Sequence, residues 1–307
     1  MPELLNAIPH FQFIILAFIF GALWGSFANV VIVRWPRELS VVRPGSHCFS
    51  CQAPIRWYDN IPIVSFIILR GRCRHCGAAF SPRYLLVELA MALLSVAVMH
   101  ITFLRADVLQ PAGLLEYVIW FAFVWSLVTV AMIDLSHYLI PDVIVLPGIV
   151  AGCLANAFFL PLGWMEPLLA AAAAYAGIRL LFIDGYRLLR GRQGMGHGDA
   201  KLLAMLGAFL GFEGVLFALF AGALQGLVIG LAMVAVRRRN GLANEPVFEE
   251  ELDGTERPQD AQHVSVTAAR VPFGPFLALG AVQYLFIGQW ALAAYSIGFS
   301  RLLNGAF

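Results

Sequence analysis

Charge is what this sequence has least of. Only 13% of its 307 residues are Asp, Glu, Lys or Arg, 60% are hydrophobic, and the formal net charge is +1. A soluble domain of this length covers its surface with far more charge, so the composition predicts a polytopic membrane protein. A balance near neutrality gives no case for nucleic acid as a partner. Other absences narrow the class further. The opening MPELLNAIPHFQF has no basic n-region and no small-residue cleavage site follows it, so the first apolar run is expected to stay as a membrane helix. No internal repeat stands out. The glycine-rich stretch near residue 196 has no preceding strand and no GK[ST] ending, which excludes a phosphate loop.

What is present is a series of apolar runs. They fall near 11–33, 84–104, 113–134, 142–162, 165–185, 200–213, 214–236 and 271–303, and a helical crossing takes roughly 20 residues. The expectation is an all-α protein of about eight transmembrane helices. The sixth run is short and could be tilted, re-entrant or merged with the seventh. The eighth is longer than one span, and part of it could lie along the interface. Basic residues then set the orientation. Arg34 to Arg83, then Arg187, Arg190, Arg192 and Lys201, then Arg237 to Arg270 cluster in alternate connections, with Arg105 the main exception. With eight crossings these clusters share the cytoplasmic side, and the N-terminus lies outside. The domain plan is a first helix (1–33), a polar cytoplasmic segment (34–83) and a membrane core (84–307). A polar loop with an acidic middle, Glu249-Glu250-Glu251, interrupts that core at 240–270.

The sequence has five cysteines. Four form two CxxC pairs in the polar segment, Cys48/Cys51 and Cys73/Cys76, a spacing that can present four thiolates tetrahedrally to structural Zn²⁺. Gly77 suits the tight turn of such a knuckle. A segment this small rarely builds enough core alone, and a metal makes up the deficit. Redox-active dithiols are the competing reading, disfavoured in the cytoplasm. His75 sits inside the second pair and is not needed as a ligand. Cys153, in an apolar run, reads as a small buried hydrophobe.

Two aspartates carry the candidate chemistry. In Gly194-Met195-Gly196-His197-Gly198-Asp199-Ala200-Lys201, glycines clear space around Asp199 just where a new apolar run begins. The bland alternative is that Asp199 caps the following helix. Asp134 closes the third run and approaches the same side of the membrane from the opposite direction. Ionisable groups at a membrane boundary are costly and usually functional. Two carboxylates held close share a proton, so that one activates water while the other donates to a carbonyl oxygen, as amide hydrolysis requires. Asp142, after Pro141, is a rival to Asp134 and a natural N-cap. Lys201 could act on Asp199 or on a substrate carboxylate, or could anchor the helix at the membrane surface. His137 and His197 flank the aspartates as surface or hydrogen-bonding residues.

Taken together, these stretches resemble the type IV prepilin leader peptidases, bifunctional enzymes of the GxGD aspartic protease group. Gly196-His197-Gly198-Asp199 matches the GxGD motif, continued by Ala200-Lys201. Ile133-Asp134 through Pro141-Asp142 is similar to the region of the first catalytic aspartate. Gly25 to Ile32 with Arg34 and Pro36 resembles the first-helix signature, and Pro272-Phe273-Gly274-Pro275 the last. The CxxC pairs, Asp59-Asn60-Ile61-Pro62, and Arg83-Tyr84 with Glu88 match the cytoplasmic domain. The resemblance implies that Asp134 and Asp199 are the catalytic pair, supported by Gly196, Gly198, Lys201 and Asp142, and that the four cysteines bind zinc. It implies an inner-membrane enzyme, embedded in the lipid bilayer, that removes the basic leader of prepilins or secretion pseudopilins after a glycine at the cytoplasmic face. It also implies methylation of the new N-terminus with S-adenosylmethionine. The first CxxC lacks the proline often found within it, and the 240–270 loop is long for the family. Two other classes stay in view: a non-catalytic scaffold whose zinc domain docks pilus or secretion components, and a thiol oxidoreductase.

Overall fold

The computed structural model describes residues 9–104, 110–190, 195–239 and 272–288. The 240–270 loop, the run beyond residue 288, and Arg105, Arg192 and Gly194 lie outside the described residues. Within them the chain is all-helical, with no strand and two isolated bridges beside the cysteines. The helices are α1 His10–Arg34, α2 Val64–Ile68, α3 Arg83–Met99, α4 Pro111–His137, α5 Asp142–Phe158, α6 Met165–Ile178, α7 Tyr186–Arg190, α8 His197–Arg239 and α9 Gly274–Gln283. Five stretches are long and apolar enough to cross a membrane: His10–Arg37, Arg83–Leu104, Pro111–His137, Met165–Arg190 and His197–Val236. Asp142–Phe158 and Gly274–Gly288 are apolar and shorter.

The expected sixth and seventh runs both lie in α8. An unbroken helix of 43 residues would be about 65 Å long at 1.5 Å per residue, about twice the hydrocarbon thickness of a bilayer. Gly211 breaks it, with φ 69° and ψ −168°, a conformation open to glycine because it has no Cβ. The contacts of α9 show that the chain reverses there. Along α9, Phe276 lies against Gly222 and Gly226, Gly280 against Ala218, and Tyr284 against Gly214. The second half of α8 therefore runs antiparallel to α9, and its far end returns to the level of Gly274. The break leaves carbonyls of the preceding turn without helical partners. Asn156, buried on α5, donates to two of them, Ala208 O at 3.0 Å and Phe209 O at 3.3 Å.

Small residues let the helices approach closely. Gly21 and Gly25 on α1, one GxxxG spacing, meet α3 so tightly that a Cβ on Gly25 would lie 2.8 Å from the Glu88 Cα. At one end of that contact, buried Ser95 bonds Ala17 O at 2.6 Å and the Tyr117 hydroxyl at 2.7 Å. The main core gathers Phe123, Leu127 and Val130 of α4, Leu202 and Leu206 of α8 and Leu277 of α9. Leu216, Phe220, Leu224 and Leu227 form an exposed apolar stripe on the second half of α8. In water such a patch would drive association; against lipid tails it is the ordinary outer face.

Between α1 and α3 lies the small polar lobe. Arg34, at the end of α1, organises its entrance by donating to Pro44 O at 2.7 Å and to Ser40 O and Gly45 O at 3.1 Å. The lobe docks on α3 through the Ile63 amide, which donates to Glu88 Oε2 at 2.7 Å. Asn29 of α1 ties the same region by donating to Tyr84 O at 3.0 Å.

Candidate functional site

Asp134 sits in the last turn of α4, where Tyr138 takes a left-handed conformation (φ 53°) and its amide closes on Asp134 O at 2.9 Å. Its side chain is only 6% exposed. The partner of that carboxylate comes from α9, whose Gly274 amide donates to Asp134 Oδ2 at 3.1 Å. A Cβ built on Gly274 would lie 2.5 Å from that oxygen, so any larger residue here must push the carboxylate aside.

Asp199 lies in the first turn of α8, with its carboxylate beside Gly196, Oδ2 standing 3.3 Å from where a Cβ would lie there. Ile140 joins the two sides. Its Cδ1 lies 3.2 Å from the position a Cβ would take on Gly198 and 3.4 Å from that on Gly274. The two carboxylates are close enough for their charges to interact. Two acids, arriving from opposite chain directions and each flanked by a glycine, therefore share one end of the bundle. Such an arrangement can hold a shared proton and polarise a water against a carbonyl.

The neighbours are placed differently from expectation. Asp142 is not an N-cap: Pro141, extended at φ −73° and ψ 116°, takes that position, and no side chain caps α5. Both Asp142 oxygens instead accept from Lys201 Nζ at 2.7 Å. The Lys201 cation thus pairs with Asp142 at the rim of the site. His197 is exposed at the start of α8, and Cys153 packs half-buried against Ala204 and Ala208. Two contributors were not singled out for a role from sequence. The Gly274 amide is one, and its only signal is a Pro-Phe-Gly-Pro turn remote in the chain. Arg83 is the other, donating to Ser136 Oγ at 2.9 Å, two residues beyond Asp134.

The lobe brings the four expected cysteines together, with all four sulfurs within 4.8 Å of one another. Two equivalent knuckles present them. Cys48 N donates to Ala53 O at 3.0 Å and Cys73 N to Ala78 O at 2.8 Å, and the residue after each pair, Gln52 or Gly77, has positive φ. A tetrahedral site with Zn–S bonds of about 2.3 Å has sulfur–sulfur edges of about 3.8 Å. Two contacts between the knuckles, Cys48–Cys76 at 3.8 Å and Cys51–Cys73 at 4.0 Å, match that edge. His75 is outside the cluster. The amides of Cys51 and Ser50 lower the Cys48 thiol to about 6, a thiolate at neutral pH as metal binding requires. The Ala78 amide lowers the Cys76 thiol, but desolvation and hydrogen bonds to Cys51, Cys73 and Cys48 together outweigh it and push Cys76 up to about 11. Nearby, the Arg74 guanidinium donates to Asp59 from Nε at 2.8 Å and holds that carboxyl below its usual range.

Two family models match the chain. Residues 19–102 match the Bacterial Peptidase A24 N-terminal domain, and residues 121–231 match the Type IV leader peptidase family. Among curated proteins the chain is similar to a prepilin leader peptidase/N-methyltransferase of Myxococcus xanthus, 33% identical over 95% of this chain and 96% of that protein. Proteins of the same description from Aeromonas salmonicida and Pseudomonas aeruginosa are 34% and 32% identical, covering 95% and 96% of this chain and 97% and 98% of their own. No solved structure matches the chain.

Proposed function

The chain belongs to the type IV leader peptidase family, and from that membership and its paired carboxylates we propose an integral-membrane aspartic endopeptidase that removes the leader of type IV prepilins or secretion pseudopilins and methylates the new N-terminus. The carrying observation is the meeting of Asp134 and Asp199 at one end of the bundle, the first oriented by the Gly274 amide and the second beside Gly196. One carboxylate activates the attacking water, and the other, holding the shared proton, donates it to the scissile carbonyl oxygen. Gly196 and Gly198 keep the approach to Asp199 open, and the Lys201–Asp142 pair sets the polar rim. Basic side chains gather at this end, among them Arg34, Arg37, Arg83 and Lys201, which supports placing the site and the lobe at the cytoplasmic face of the inner membrane. The four thiols hold structural Zn²⁺, which contributes folding energy to a lobe too small to be stable alone. S-adenosylmethionine, when bound, supplies an electrophilic methyl group to the freed amine.

The test is mass spectrometry of a prepilin whose leader ends in glycine, after incubation with the purified zinc-loaded protein. Loss of the leader is expected without S-adenosylmethionine, and addition of one methyl group with it. A prepilin of unchanged mass under both conditions would leave a non-catalytic scaffold as the better reading.

Gly274 offers a second test of the same site. Gly274→Ala places a methyl group against Asp134 Oδ2 and must displace the carboxylate. Misplacement of a reacting group by about 1 Å costs on the order of 10²-fold in rate. We expect cleavage to fall by about that factor in timed gel-shift assays, with thermal melting little changed. A variant that cleaves at the wild-type rate would remove Gly274 from the site.

A further inference from the structure

Beside the peptidase site, a cavity of about 650 Å³ lies between the end of α1, the lobe and the start of α3. Its volume is that of a small-molecule site, typically about 300–1,000 Å³. Its lining carries both signs of charge, Asp59 and Glu88 among Arg34, Arg37, Arg72 and Arg83, with Tyr84 among its aromatic walls. The two carboxylates are already oriented. Glu88 Oε2 accepts the Ile63 amide at 2.7 Å, and Asp59 is gripped by Arg74 at 2.8 and 3.1 Å. The Arg72 backbone bonds Leu69 O at 3.1 Å, and its guanidinium has no hydrogen-bond or ion-pair partner among the described residues. A pocket for an anionic lipid headgroup would gather cations and exclude carboxylates. A wall with oriented acids and an unpartnered guanidinium suits a zwitterionic ligand that carries an additional positive charge.

The position of the cavity strengthens that reading. Arg83 lines it and also donates to Ser136 Oγ at 2.9 Å, two residues from Asp134. Arg83 thus links the cavity to the turn of α4 that carries Asp134. Resting on the methyl-transfer reading above, we propose that this cavity binds the sulfonium methyl donor, with Glu88 and Asp59 meeting its positive centres and Arg72 its carboxylate. The site is built from the N-terminal third of the chain and needs no glycine-rich nucleotide fold. Its position makes cleavage and methylation neighbouring events at one end of the molecule.

The experiment measures binding of S-adenosylmethionine and of its neutral product S-adenosylhomocysteine to the full zinc-loaded protein in phosphatidylcholine nanodiscs by calorimetry. Photolabelling by the same ligands is then mapped by peptide. Arg72→Ala and Glu88→Gln are compared with wild type, and zinc content and melting temperature report folding; the Gln oxygen can still accept the Ile63 amide. Wild type is expected to bind and to be labelled within residues 57–88. Each variant should bind about tenfold more weakly or worse, the scale of losing one charged hydrogen bond, and Glu88→Gln should weaken the cationic donor more than the neutral product. Three results overturn the cavity assignment: binding by both variants as tight as wild type, labelling elsewhere, or weakening only in step with zinc loss. Displacement of the donor by phosphatidylglycerol nanodiscs would make the cavity a lipid site instead. If wild type binds neither ligand and cleaved pilin stays unmethylated, the methyl-transfer reading itself fails. Methylation by wild type with intact binding by both variants sinks the cavity alone.

Discussion

Asp134→Asn and Asp199→Asn should each lower prepilin cleavage by about 10³-fold or more, beyond the loss of an ordinary binding contact. Asparagine keeps the shape of the side chain and an oxygen that can accept the Gly274 amide now bonded at 3.1 Å, so the site should stay assembled. What it lacks is the ability to give or take the shared proton. If the pair works as a unit, the double variant should be no worse than either single one, since effects within such a unit are grossly non-additive. Asp142→Asn is the control. Its carboxylate is bound to Lys201, and its loss should lower the rate by less than about tenfold, the scale of an exposed ion pair. A timed gel-shift series on the five proteins, with zinc content as the folding check, decides between them. Equal activity of wild type and either dyad variant would end the aspartyl mechanism, and collapse in Asp142→Asn alone would move it to the rival.

How much of this was legible in the sequence depends on the range of the interaction. Asp199 was visible because its glycines, its motif and the apolar run that follows are neighbours in the chain. The cysteine cluster was visible because CxxC spacing already forces each knuckle, and four sulfurs in so small a lobe have one efficient arrangement. The Gly274 amide was not visible as a ligand of Asp134, since the two are brought together only by packing of α9 against α4 across 140 residues. Asp142 misled for a different reason. An aspartate after a proline at a helix start reads as a cap, but capping depends on which residue takes extended φ/ψ, and Pro141 does so itself. The freed carboxylate then found Lys201 one helix away. The break in α8 was legible as a boundary between two apolar runs at 213/214, close to Gly211 but not on it. Seven glycines fall within that helix, and composition cannot say that Gly211 is the one forced to φ 69°.

The lobe also explains why removing one ion is expected to disable a membrane enzyme whose proposed acids lie elsewhere. Its regular structure is a five-residue helix and single turns, and Cys48 and Cys73 are themselves among its few buried side chains. Little apolar surface is available to offset the entropy of ordering such a segment, whereas structural zinc supplies on the order of 10 kcal/mol of apparent binding energy at neutral pH. Chelation, or Cys48→Ser with Cys73→Ser, should therefore unfold the lobe while the membrane helices, whose hydrogen bonds are internal and shielded by lipid, persist. Hydrogen exchange would show the split as rapid deuteration of peptides within 46–80 with α4 and α8 still protected. Since Glu88 and Arg83 receive the lobe and Arg83 reaches Ser136, cleavage should fall with the metal and return when zinc is restored. Lowering the pH should have the same sign. Cys48 becomes protonated as pH drops through about 6, and protons then compete with the ion for the sulfurs. A lobe that stays protected with its zinc removed would mean that the four thiols do not hold it together.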